Sequence, residues 1–204
     1  MISSSDSCQT SASPSPSTKR SVLECFRAHT GRQIDKWQHY FPIYEKHFAP
    51  YVGTPVRVLE IGVDHGGSLQ LWKSYFGPYA EIVGIDIDPR CSTYTEPQID
   101  IRIMNQRDPA ISRLGMFDIV IDDGSHFIAD QEDSFRALWP CTTGVYLVED
   151  CHHGFPILNA PDGLKTVYNW VVVIEVPRRI IRGTPSREIR QDEIAAIDLY
   201  SDAQ

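Results

Sequence analysis

Hydrophobic spacing divides the chain into an aromatic helical stretch followed by alternating strands and helices. Between Val22 and Tyr51, Trp37, Tyr40, Phe41, Tyr44 and Phe48 recur three or four residues apart, which places aromatics on one face. This predicts an amphipathic helix that packs on the body of the protein or covers a substrate. After Gly53 and Pro55 the rhythm shortens. Val56 to Ile61 is a branched apolar run that ends in glycines, and Gly67 to Tyr75 reads as a helix. Ile82 to Ile85, closed by Asp86, predicts a second strand, and Ile99 to Met104 a third. Phe117 to Ile121 forms a fourth, ending in Asp122-Asp123. Residues 127–139 read as a helix with Phe127, Phe135, Leu138 and Trp139 inward. Val145 to Val148 is a fifth strand, ending in Glu149-Asp150. Near-continuous apolar strands alternating with helices predict an α/β fold: a Rossmann-like, doubly wound, mostly parallel sheet with helices on both faces.

Composition narrows the function classes. Lys+Arg number 19 against 27 Asp+Glu, a net charge of −8, which argues against binding nucleic acid through its phosphates. No apolar run approaches the ~20 residues of a membrane span. Residues 1–20 hold eight Ser, two Pro and two Thr, too little apolar surface to order themselves, so they read as a disordered tail. One domain is expected over 21–204, with a helical cover at 21–52, a ligand-binding core at 53–155 and a C-terminal portion at 156–204. The five cysteines include no C-x-x-C pair, which suits free thiols in a reducing, cytoplasmic setting. The Ser-rich start leaves organellar targeting as the alternative.

The first strand runs into Glu60-Ile-Gly62-Val-Asp64-His65-Gly66-Gly67-Ser68 and then a helix. Glycines there permit a tight turn and close approach of backbone to a ligand, and a carboxylate at the end of the next strand, Asp86, can accept both ribose hydroxyls. The loop departs from G-x-G-x-x-G because Asp64 stands two residues after Gly62. An acid there disfavours a pyrophosphate, and so a nicotinamide dinucleotide. With Glu60 just before the loop, the electrostatics favour a cationic adenosine ligand such as S-adenosyl-L-methionine.

Asp122-Asp123 and Glu149-Asp150 close strands four and five, where ligands gather in open α/β sheets. Neighbouring strands would bring four carboxylates together. A hard divalent cation, Mg²⁺ by preference, relieves their repulsion through oxygen ligands; N-capping by Asp123 is the plainer alternative. His126 follows Asp123 by three residues and can act as general base on a hydroxyl acidified by the metal. His152 and His153 read as solvated loop residues at the mouth.

Val58 to Leu69, Gly84 to Pro89, Phe117 to His126 and Val148 to Asp150 together resemble the class I S-adenosylmethionine-dependent methyltransferases. Within these, the set is most similar to the metal-dependent sugar O-methyltransferases of macrolide biosynthesis, over roughly residues 30–155. The resemblance implies Mg²⁺ held by Asp123, Glu149 and Asp150, with His126 as base. It implies cofactor contacts from Glu60, Gly62, Gly66, Ser68, Asp86, Gln106 and Asp122. Gln106 matches the family's Gly-Asp-Gln motif while Asn105 departs from it. The expected acceptor is a small hydroxylated molecule, a sugar or natural product, with no nucleic acid or membrane partner. Relatives add a sixth strand and an antiparallel seventh. Ile194 to Tyr200 supplies one candidate here; residues 171–182 are branched enough to be a strand but fall where relatives have a helix. One terminal strand is therefore unaccounted for. That gap motivates a second reading, a shortened binding module without catalysis, and an open sheet edge that favours self-association.

Overall fold

A computed structural model describes residues 19–160 and 163–176. Among the described residues the sheet has seven strands: β1 (Arg57–Ile61), β2 (Glu81–Asp86), β3 (Ile99–Ile103), β4 (Phe117–Asp122), β5 (Thr142–Val148), β6 (Leu164–Val167) and β7 (Val172–Glu175). Their order across the sheet is β3-β2-β1-β4-β5-β7-β6. The first five pair in parallel, and β7 pairs antiparallel with both β5 and β6. The α-helices are α1 (Val22–Arg27), α2 (Phe41–Phe48), α3 (Gly67–Phe76) and α4 (Ile128–Leu138).

The terminal strand that the sequence leaves unaccounted for is present. Residues 164–175 form a hairpin in which Val172–Glu175 enters the sheet beside β5 and Leu164–Val167 takes the edge. Val172–Glu175 pairs with β5 and its Val172, Val173 and Ile174 are fully buried, so the branched run forms the strand its composition allows and not the helix found there in relatives. Leu-Lys-Thr-Val of β6 escapes the hydrophobic pattern because an edge strand keeps much of its surface in water. Ile194 to Tyr200 and the tail through residue 18 lie outside the described residues.

Two apolar layers sandwich the sheet. Val58, Ile121 and Leu147 meet Tyr44, Phe48, Leu69, Trp72 and Phe76 on one face. Leu59, Val120, Tyr146 and Val148 meet Phe135 and Leu138 on the other. The single long N-terminal helix expected from Val22 to Tyr51 is broken. Helix α1 ends at Arg27, and α2 begins at Phe41 after a 3₁₀ turn, Gln38–Tyr40. Between them the chain crosses above the strand ends, and the Arg32 and Gln33 carbonyls come so close to Gly67 that a Cβ there would clash. Tyr40, Phe41, Tyr44 and Phe48 are buried as expected, whereas Trp37 stays half exposed at the loop end. In α4, Phe135 and Leu138 face inward, but Phe127 is the exposed N-cap residue and Trp139 is only partly buried; Gln131 and Ser134 take the remaining inward positions. Among the described residues no helix is long and apolar enough to cross a membrane. Cys25, Cys91, Cys141 and Cys151 are free thiols.

Candidate active site

Parallel register brings the ends of β1, β4 and β5 side by side: Ile61 lies opposite Asp122, and Asp122 opposite Val148. Backbone bonds continue past the strands, Asp123 N to Ile61 O at 3.0 Å and Glu149 N to Asp122 O at 2.9 Å. Side chains alternate between faces along a strand. Glu60 therefore shares the α2/α3 face with Val58, while Asp122 joins Tyr146 and Val148 on the α4 face. The expected convergence of four carboxylates thus needs correction. Asp122 is fully buried away from the crevice, accepting from Tyr146 Oη at 3.3 Å and Gln106 Nε2 at 3.5 Å.

The remaining acids form two linked groups around Asp123. In the first, the buried Lys36 Nζ donates to Asp123 Oδ2 at 2.5 Å, Glu149 Oε2 at 2.9 Å and Glu60 Oε1 at 3.4 Å. Glu60 Oε2 also accepts from Ser68 Oγ at 2.9 Å and Trp72 Nε1 at 3.0 Å, and Glu149 Oε1 from Tyr44 Oη at 2.8 Å. In the second, ligand atoms of Asp123, His126 and Asp150 all lie within 4.8 Å of one another. Asp150 accepts from Tyr40 Oη at 2.5 Å, and its other oxygen is 3.8 Å from His126 Nε2. His126 and Asp150 have φ of +62° and +52°, sparsely populated for residues with side chains; such strain clusters at functional sites. Helix α4 is capped by Phe127 without a side-chain bond, so Asp123 serves this cluster and is not an N-cap.

Burial sets the proton affinities. It would pull the Lys36 ammonium down, but the Asp123, Glu149 and Glu60 carboxylates hold it well above the usual lysine range. Burial pushes Glu149 up to about 8 against the opposing pull of Lys36, and raises Glu60 as well. Asp122 is pushed up to about 7, mainly by burial. A carboxylate raised in the folded state favours folding at low pH and loses that contribution as pH climbs from the unfolded value near 4 to the folded value near 7. Ionised Asp122 therefore costs about 4 kcal/mol above pH 7. Asp122→Asn is expected to raise the unfolding free energy at pH 8.5 by about 2 kcal/mol, since one of its two acceptor oxygens is lost. Urea melts should show that gain shrinking from pH 7 towards pH 4. A gain independent of pH would contradict the assignment.

Two cavities meet at these residues. A cleft of about 710 Å³ runs over the ends of β1, β2 and β4, lined among others by Gly62, Ser68, Asp86, Gln106, Asp123 and His126. Its volume falls in the range of cofactor sites. Glu60, Gly66, Asp122 and Glu149 are not in its wall. Lys36 covers Glu60 and Glu149, Gly66 packs on Tyr94, and Asp122 faces the other side of the sheet. Asp86 anchors the glycine loop, accepting from Val63 N at 2.8 Å and Asp64 N at 3.2 Å. Gln106 holds the loop after β4 by accepting from Ser125 N at 2.8 Å. A second cavity of about 320 Å³ lies beside the first, lined by Asp35, Lys36, Trp37, Tyr40, Glu149 and Asp150. Trp37 at its edge packs against Trp170, with ring centroids 5.2 Å apart.

The strand order places one antiparallel strand, β7, between β5 and β6. The structure matches the MycE methyltransferase of the mycinamycin pathway, solved in complex with Mg, SAH and mycinamycin VI, at a TM-score of 0.67 and 29% identity. That match covers 89% of this chain and 60% of MycE. The fold is that of a class I S-adenosylmethionine-dependent methyltransferase. A putative caffeoyl-CoA O-methyltransferase from Staphylococcus aureus has the same fold at a TM-score of 0.54. In sequence, this methyltransferase-fold chain is 42% identical over 133 residues to an 8-demethyl-8-(2-methoxy-alpha-L-rhamnosyl)-tetracenomycin-C 3'-O-methyltransferase of Streptomyces olivaceus. It is 43% identical over 129 residues to the mycinamicin VI 2''-O-methyltransferase of Micromonospora griseorubida. Those matches take in 57% and 55% of the chain but only 34% and 31% of the relatives, so it spans about a third of their length. No family model matches.

Sequence reasoning missed Lys36, Tyr40 and Tyr44 as site residues. The tyrosines read only as members of an aromatic stripe. A tyrosine among buried phenylalanines does carry a signal, because its hydroxyl needs a polar partner inside. Lys36 carries none.

Proposed function

We propose that the chain binds S-adenosyl-L-methionine in the larger cleft and transfers its methyl group to a hydroxyl of a small acceptor, a sugar or natural product, entering through the smaller cavity. The observation that carries this reading is that Asp150 lines both cavities, so the Asp123–His126–Asp150 group lies where two ligands would meet. The relatives named above methylate sugars or sugar-bearing polyketides according to their names, which supports an acceptor of that class.

Asp86 and the glycine loop fix the nucleoside end of the cleft. The exposed face of Trp37 offers an apolar surface against which a sugar ring can pack. His126 takes the acceptor hydroxyl proton. The oxygen then forms a bond to the methyl carbon as the carbon–sulfur bond breaks, leaving neutral S-adenosylhomocysteine and a protonated imidazole. Two carboxylates within one ligand sphere, Asp123 and Asp150, are oxygen donors that suit a hard divalent cation, and they leave the His126 imidazole beside it to take the proton. Asp123 and Asp150 would hold it, with Glu149 as a third ligand. A cation there would supply Lewis-acid stabilisation of the developing oxyanion.

The test is incubation with S-adenosylmethionine, Mg²⁺ and a panel of glycosylated polyketides and simple glycosides, reading S-adenosylhomocysteine. Product formation that depends on acceptor supports the reading. Tight cofactor binding with no product from any acceptor favours the binding module instead.

A further inference from the structure

Lys36 enters the carboxylate cluster from the loop between α1 and α2, and its side chain is only 2% exposed. Its ammonium takes Glu149 Oε2 and Asp123 Oδ2, while Tyr44 takes Glu149 Oε1. Both oxygens of Glu149 are therefore engaged. A magnesium ion binds carboxylate oxygens at about 2 Å, so an ion held by Asp123 and Glu149 would stand within about 5 Å of the ammonium, with like charges facing across shared ligands. The two cations cannot hold the same oxygens from the same side.

We propose that Lys36 is a tethered counter-cation that competes with the divalent ion for Asp123 and Glu149, so that metal loading requires its ammonium to withdraw. This rests on the metal reading above. Before the ion arrives, the ammonium offsets the repulsion of three carboxylates drawn together by the sheet. Its flexible four-carbon stem can rotate, and both cavities open beside it. Asp150 is engaged by Tyr40 and His126, so the Asp123–Asp150 side of the site can receive the ion first.

The experiment is Mn²⁺ binding to the full chain, by electron paramagnetic resonance and calorimetry, for wild type, Lys36→Met and Lys36→Arg. Lys36→Met should bind Mn²⁺ at least tenfold tighter than wild type and show a larger Mg²⁺-induced rise in Tm. Lys36→Arg, which keeps the charge, should not. Equal or weaker Mn²⁺ binding by Lys36→Met, with wild type still binding, overturns the competition and leaves the metal reading standing. No Mn²⁺ binding by any of the three overturns both. Should Lys36→Met fail to fold, the unaltered protein gives an independent answer through amine-reactive labelling read by mass spectrometry. Saturating Mg²⁺ should increase modification of Lys36, and unchanged modification counts against the proposal.

Discussion

Asp123→Ala is expected to lower the rate of S-adenosylhomocysteine formation on the order of 1000-fold while leaving the fold intact. Asp123 belongs to both groups of the site: it accepts from Lys36 and shares the 4.8 Å ligand sphere with His126 and Asp150. A cation stabilising a developing oxyanion contributes several kcal/mol, and each ~1.4 kcal/mol is a factor of ten in rate. The fold should survive because Asp123 supports the sheet through its backbone, N–H to Ile61 O. Lys36 keeps Glu149 and Glu60 as partners. The check is turnover at saturating Mg²⁺ and cofactor beside a thermal melt. A Tm within a few degrees of wild type, with turnover lost, locates the effect in chemistry. Unchanged turnover would remove Asp123, and with it the metal mechanism, from the account.

Gly62→Ala should cost stability twice over, through backbone strain and through a clash with neighbouring backbone. Gly62 has φ +90°, and a Cβ there would meet the Asp123 carbonyl oxygen at 2.1 Å and its carbon at 2.8 Å. Both obstacles are backbone at the end of β4, so relief means separating β1 from β4 at the point where the cleft begins. The backbone strain alone costs about 1–3 kcal/mol. With the clash, a loss of about 4 kcal/mol is expected, lowering Tm by about 10 °C in a chain of this size. Gly53→Ala is the control: its φ is +80° but nothing lies within 4 Å of the added carbon, so it should show strain without clash. Equal Tm losses for the two variants would mean that β1 and β4 are not held as closely as described.

The parts legible in the sequence and the parts hidden from it differ in physical kind. Strands β1 to β5 fall within a few residues of their expected bounds because a parallel strand buried on both faces reads as an unbroken apolar run. The acids at their ends follow from the same register. The face each acid takes was not legible, since it depends on one residue of phase: Asp122 turns to Tyr146 while Asp123 turns to Lys36. Edge strand β6 is short and polar enough to pass for a loop. The long aromatic stripe hid a break at Ala28–Trp37, where no apolar position repeats and the loop is held by contacts across the chain, such as Arg32 N to Gln70 Oε1 at 2.9 Å. Lys36 was hidden most completely. A lone lysine in a polar loop reads as solvated, and only the closing of that loop over the strand ends gives it three carboxylates.

The measurement closest to the central claim is calorimetric titration of the full chain with S-adenosylmethionine, S-adenosylhomocysteine and NADH. The cleft over β1 and β2, lined by Asp86 and by the acidic Asp64 two residues after Gly62, predicts saturable one-to-one binding of both sulfur ligands and none of NADH. Binding of NADH without affinity for either sulfur ligand would contradict the account at its root.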